Sequence, residues 1–207
     1  WETNSSSETL FIFGYFNAAS YVFFMYIHPA KVVIFEFSLN NGLDSISDQK
    51  NYFTFTIGLN NIRKMNNWIV RKIENKDNQA VAKLIRSVFD EMEIPKVGTA
   101  YEDPYLDLMF EEYSKPNSVY FVVENDGKIL GCAGIAPLEN SDPKICELQK
   151  MYFLPETRGL GIGSIMMEKC LEQARNFGFE KCYIETMPFM NAAQKLYKKS
   201  GFEYLDA

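Results

Sequence analysis

The run Arg158-Gly159-Leu160-Gly161-Ile162-Gly163-Ser164 constrains this chain more than any other stretch. It follows a β-rich segment ended by Pro155 and precedes a helical pattern, so three glycines stand where a strand turns into a helix. Glycine lets the backbone approach a ligand closely, and the free N–H groups of a first helical turn favour an anion through hydrogen bonds and the helix dipole. A phosphate or pyrophosphate is the expected guest. No Lys-Ser or Lys-Thr pair follows the last glycine, which excludes a Walker loop, and Ser164 or Met166, depending on register, stands in place of the third glycine of the dinucleotide fingerprint. Taken alone, the loop is equally well read as a tight strand-to-helix turn.

The rest of the chain gives the loop its setting. Up to about Lys64 the sequence is rich in Phe, Tyr, Ile and Asn, and neither helical nor strand periodicity persists. Beyond it the pattern becomes regular. Residues 68–73 read as a short strand, and 77–92 as a helix with Val81, Leu84, Ile85 and Phe89 on one face. A second short helix is expected over 105–113. Strands over 119–123 and 129–135 flank Asn125-Asp126-Gly127, a hairpin signal, and 145–154 makes a third strand. After the glycines a helix runs to about Phe177 with Ile162, Ile165, Met166 and Cys170 inward, stopped by Gly178. A strand over 182–185 and a helix over 191–200, burying Ala192, Ala193, Leu196 and Tyr197, lead to a strand begun at Phe202. This order predicts an α+β (mixed α/β) fold, a sheet with helices packed on it.

Composition narrows the chemistry. With 207 residues, 47% of them hydrophobic, the chain can bury one core of ordinary size. A net charge of −6 gives no broad basic field, so nucleic acid is not the expected partner and amines or other cations suit the sign better. The single histidine, His28, lies in an aromatic-rich stretch far from the loop, which removes Ser-His-Asp and Cys-His catalysis and any multi-His metal site; no metal is expected. Cys132, Cys146, Cys170 and Cys182 form no C-x-x-C pair and read as buried thiols of a reducing cytoplasm.

Two motifs then combine. Arg158-x-x-Gly161-x-Gly163 resembles the acyl-CoA pyrophosphate loop of the GNAT N-acetyltransferase superfamily. Downstream, Ala193-x-x-Leu196-Tyr197-x-x-x-Gly201-Phe202 is similar to the same superfamily's second signature. The resemblance covers about two thirds of the chain, from Trp68 to Ala207. It implies a mostly antiparallel central sheet with a splayed strand pair and flanking helices, acetyl-CoA as cosubstrate, and acyl transfer to a primary amine by direct attack on the thioester. Main-chain groups of Met151, Tyr152 and Phe153 would bind the pantetheine arm, the Phe153 N–H would face the oxyanion, and Arg158, Gly159, Leu160, Gly161, Ile162, Gly163 and Ser164 would hold the pyrophosphate. Tyr197 matches the superfamily tyrosine that protonates the departing thiolate; a residue on the helix face of the core is the plainer reading. Asn191 is one position out of register with the superfamily asparagine near the CoA arm, and serves equally well as a helix N-cap.

Glu147 matches the spacing of the general base in histone-type members of the superfamily, and strand alternation places Glu147, Gln149, Met151 and Phe153 on one face. A strand-end carboxylate paired with Lys144 or Lys150 fits equally well. Glu185, Tyr101, Tyr105, Glu102, Asp103 and Asp107 are further candidates for an acidic, aromatic acceptor rim.

The ends of the chain carry expectations of their own. Residues 1–64 read as an extension, non-native upstream translation or disordered, with Met65 as start of a domain over 65–207. Residues 10–27 carry no charge and come near the length of a membrane span, but their aromatic, leucine-poor composition and slight flanking charge bias argue against one. The chain stops a few residues into its last strand, where superfamily members continue, so the resemblance leaves one or more C-terminal strands missing. A noncatalytic acyl-CoA-binding module and a membrane-tethered acyltransferase are the competing readings. The sequence does not determine oligomeric state, although sheet-edge homodimers are common in the resembled superfamily.

Overall fold

The structure, a computed structural model, describes residues 31–36 and 68–205; residues 10–27 lie outside this range. Seven strands form one sheet: β1 (Lys31–Glu36), β2 (Trp68–Lys72), β3 (Val119–Asn125), β4 (Lys128–Pro137), β5 (Ile145–Phe153), β6 (Lys181–Thr186) and β7 (Glu203–Tyr204). Their spatial order is β2-β3-β4-β5-β6-β1-β7, antiparallel throughout except between β5 and β6. Helices α1 (Asn78–Glu91) and α2 (Met109–Glu112) accompany one core, and α3 (Ile162–Asn176) and α4 (Asn191–Lys199) the other.

Local chemistry explains most of these elements. The β3–β4 hairpin turns at Asp126 and Gly127, both with positive φ (49° and 79°), the conformation that an Asp-Gly pair tolerates best. Helix α1 buries Val81, Leu84, Ile85, Val88 and Phe89 against β4 and β5. Gly178 ends α3 with a φ of 85°.

Several expectations are corrected. The helix expected over 105–113 is a 3₁₀ turn, Leu106–Leu108, followed by the single turn of α2, because Leu106 and Met109 point inward while Leu108 stays exposed. On α3 the inward set is Ile162, Met166, Met167, Cys170, Leu171 and Ala174, whereas Ile165 lies at the solvent edge of the stripe. On α4 only Tyr197 is buried; Ala193 and Leu196 pack half-buried against the same core and Ala192 is exposed. Strand β1 was not foreseen at all. It lies between β6 and β7, pairing Lys31–Glu36 with Thr186–Lys181 in antiparallel register.

Candidate active site

β5 and β6 pair only at their beginnings, Ile145–Glu147 against Lys181–Tyr183. Beyond that point they part, and residues 148–153 and 184–186 border an opening in the sheet. A bulge in β5 helps to produce it. Cys132 faces Tyr152 and Gly134 faces Gln149, so Lys150 and Met151 together oppose Ala133 alone. Lys150 takes a φ of 49° to fit, and its carbonyl accepts the Tyr120 hydroxyl at 2.8 Å and the Cys132 thiol at 3.8 Å. Burial pushes the Cys132 thiol up to about 12, which keeps it a protonated donor. The Lys150 ammonium reaches Asp103 at 2.8 Å, tying the loop before α2 to the bulge.

The bulge overturns the simple alternation of β5. The extra residue inverts the pleat, so Glu147 and Gln149 face the side of α1 and α2, while Met151 and Phe153 pack with the core under α3. On the first side the Tyr113 hydroxyl donates to Gln149 Oε1 at 2.6 Å, and Gln149 Nε2 donates to Glu147 Oε2 at 2.6 Å. Tyr183 sits opposite Glu147 in register and donates to Glu185 Oε1 at 2.6 Å. Burial raises the Glu147 carboxyl above its ordinary value; Glu185 and Glu139 raise it further, against the Gln149 hydrogen bond and the charge of Lys150. Lys144 pairs with Glu180 and Lys150 with Asp103, so neither lysine forms an ion pair with Glu147 among the described residues.

Within the opening lies a narrow cleft of about 60 Å³, bordered from the α3 side by Met151, Ile184, Thr186 and Tyr197 and also by Tyr152 and Glu185. Tyr197 is 6% exposed, its ring 6.0 Å from that of Phe202, and burial holds its phenol protonated well above the ordinary range. Thr186 belongs to this site and was missed by sequence reasoning. The available signal was a threonine at the inward place that follows Cys182 and Ile184, where the pleat calls for an apolar residue.

Main-chain groups complete the arrangement. The Leu154 N–H donates to the Leu130 carbonyl of β4 at 2.9 Å, so the neighbouring Phe153 N–H points the other way, into the opening. The glycine loop lies beyond it. Gly159 and Gly161 have φ of 75° and 84°, and a Cβ at either would meet nothing within 4 Å, so the backbone faces open space. Gly161 is the N-cap of α3 and offers no side-chain cap, which leaves the first-turn N–H groups of Ile162 and Gly163 without intrahelical acceptors. Leu160 packs against the core beneath, and Ser164 lies half-buried in the first turn. This cradle fits a pyrophosphate.

Two expected residues stand apart from it. The Arg158 guanidinium is held by both carboxylate oxygens of Glu91, at 2.6 and 2.7 Å, and donates to the Phe153 carbonyl at 2.9 Å. Asn191 is exposed at the first position of α4; the N-cap is Met190, so the capping alternative for Asn191 fails. Of the proposed acceptor rim, Asp103 joins the site through Lys150, whereas Asp107 pairs with Arg86 and Tyr101 packs on Phe89.

Residues 82–202 match the family model described as acetyltransferase (GNAT) family. The chain belongs to the GNAT acetyltransferase family. An uncharacterized N-acetyltransferase of Escherichia coli, YjgM, is 44% identical over 139 residues, 67% of this chain and 83% of that protein. Among solved structures, a GNAT-family acetyltransferase of Staphylococcus aureus superposes with a TM-score of 0.60 at 19% identity over 67% of this chain and 86% of its own. A second neighbour is YncA of Salmonella typhimurium, solved with its cofactor acetyl-CoA, with a TM-score of 0.59 at 17% identity over 67% of this chain and 80% of its own. The GNAT fold is thus shared. No helix among the described residues is long and apolar enough to cross a membrane.

Proposed function

We propose that this GNAT enzyme transfers an acetyl group from acetyl-CoA to a primary amine by direct attack of the amine on the thioester, in the cytoplasm. The observation that carries the reading is the two-sided chemistry of the opening between β5 and β6: carboxylates on one face, a buried phenol on the other, and a main-chain N–H between them. Bound in that opening, acetyl-CoA supplies an activated acyl group on a good leaving group.

The residues divide the work. The free first-turn N–H groups of Ile162 and Gly163, with the backbone of Gly159, Leu160 and Gly161 and the Ser164 hydroxyl, hold the pyrophosphate, and the edge of β5 from Met151 to Phe153 receives the pantetheine amides as an added strand would. Arg158 reaches the phosphates by exchanging Glu91 for them, and Asn191 lies at the outer end of the arm. Glu147, raised by burial and kept in place by Gln149 and Tyr113, takes the proton of the incoming ammonium, directly or through water. The Phe153 N–H faces the oxygen on which charge develops. Tyr197, still protonated at neutral pH, gives its proton to the leaving sulfur. Glu185 and Asp103 make the acceptor side acidic, which favours an amine in its cationic form on arrival.

The test is calorimetric titration of acetyl-CoA into the purified chain, followed by detection of released CoA thiol against a panel of small amines. Micromolar binding with amine-dependent thiol release supports the reading; binding without turnover on any amine supports a noncatalytic acyl-CoA-binding module, and no binding by folded protein overturns both.

A further inference from the structure

Among the described residues, Thr186 Oγ1 is the one buried side-chain polar atom without a hydrogen-bond partner. The residue is 5% exposed. An unpaired hydroxyl in an interior costs about 1–3 kcal/mol, and valine, nearly the same in shape, would occupy the place without that cost. The neighbouring inward positions of β6, Cys182 and Ile184, are apolar in keeping with the core they face. Thr186 breaks their rule three residues past Tyr183, the last residue of β6 paired with β5, where the opening begins.

Its neighbours give the hydroxyl a purpose. Thr186 borders the same small cleft as Tyr197 and Met151, on the side of the sheet opposite Glu147 and Gln149. A space of about 60 Å³ admits little more than the reacting end of a ligand arm, so Thr186 and Tyr197, which border it together with Tyr152, address one small group. Leu148, Met151 and Ile184 wall the cleft beside them, and although Lys150, Tyr152 and Glu185 also border it, none of them takes up the Thr186 hydroxyl.

We propose that the Thr186 hydroxyl is a second hydrogen-bond donor to the sulfur that leaves during acyl transfer, acting beside Tyr197. The proposal rests on the acyl-transfer reading above. In that step the amine nitrogen forms a bond to the thioester carbon, the C–S bond breaks, and its electron pair goes to sulfur. Tyr197 gives sulfur its proton. Thr186 keeps its own proton and donates only a hydrogen bond, which gains strength as charge gathers on sulfur. The proton released by the amine passes through Glu147 to solvent and returns to Tyr197. Two donors on one leaving group also mean that neither hydroxyl is indispensable alone.

The experiment compares the full chain with Thr186→Val, Thr186→Ser, Tyr197→Phe and the Thr186→Val/Tyr197→Phe double variant, using acetyl-CoA and an amine that the unaltered protein acetylates. Melting temperature, acetyl-CoA affinity and single-turnover rate are measured for each. Thr186→Val is expected to melt no lower than the unaltered protein and to bind acetyl-CoA within about twofold, while its single-turnover rate falls about tenfold. Thr186→Ser should restore most of that rate. The double variant should lose more than the product of the two single losses, since each donor partly covers for the other. An unchanged rate in Thr186→Val, or a lowered melting temperature showing that the hydroxyl has a protein partner, overturns the proposal while leaving acyl transfer intact. An unaltered protein that neither binds acetyl-CoA nor acetylates any amine removes the acyl-transfer reading itself.

Discussion

Arg158 closes a bidentate grip on Glu91, 2.6 and 2.7 Å, and so joins the last turn of α1 to the entrance of the glycine loop. Both side chains are 39% exposed, and an ion pair so open to water contributes at most about 1 kcal/mol. Its importance is for binding. Glu91→Gln releases the guanidinium for phosphate, so acetyl-CoA affinity should rise about threefold, and the melting temperature should shift by only a degree or two. Calorimetry on the variant decides; weaker binding would mean that the grip itself shapes the loop.

Glu147 sets a second prediction, in stability as well as rate. Its carboxyl is raised in the folded chain, so the folded state holds the proton more tightly than the unfolded one, and the associated stability is present at low pH and lost as pH rises through the raised value. At neutral pH the ionised, buried carboxylate is therefore a burden. Glu147→Gln should melt higher than the unaltered protein at pH 7, with the difference vanishing below the ordinary carboxyl value of 4.5. Acetylation should fall at least about a hundredfold, and the rise of rate with pH through the raised carboxyl value should flatten. Scanning calorimetry and a pH–rate profile give the two readings.

The bulge depends on a hydroxyl outside the reaction. Tyr120 donates to the Lys150 carbonyl while its ring packs on Tyr113, 4.6 Å away. Tyr120→Phe keeps the ring and removes the donor, leaving only the weak Cys132 thiol on that carbonyl. Chemical denaturation should show a loss of about 1–2 kcal/mol, and turnover should drop further than acetyl-CoA affinity, because the Glu147 side chain and the Phe153 N–H are both set by the same bulge.

Gly131 faces Phe153 from β4, and a Cβ there would lie 2.3 Å from Phe153 Cδ1. Something must move, and Phe153 is the nearer and freer partner. Gly131→Ala should displace the ring, tilt the N–H aimed at the oxyanion, and lower turnover by about tenfold or more at saturating acetyl-CoA. Normal turnover would show that the ring swings away without its backbone.

How far the sequence could be read follows from the range of each cause. The Asn125-Asp126-Gly127 turn, the glycine loop and the Tyr197 helix are local, so residue type alone announces them. Lys150 carries none of the residue cues for a positive φ; its bend is met by Ala133 on the adjacent β4 and by Tyr120 on β3 beyond it, and the inverted pleat was invisible for that reason. β1 was hidden differently. Val-Val-Ile-Phe has no alternation to mark a strand, since it runs inside the sheet, and the strands it joins lie near the other end of the chain. The Glu91 grip on Arg158 and the unpaired Thr186 hydroxyl likewise exist only once distant segments meet.

The place of β1 also bears on the opening itself. It covers the outer edge of β6 along its whole length, from Lys181 to Thr186. Past Tyr183 β6 has lost β5 on one side but keeps a complete ladder on the other, so Ile184, Glu185 and Thr186 stay extended where the sheet opens. A segment that sequence reading set apart from the domain thus serves as a splint for one lip of the slot.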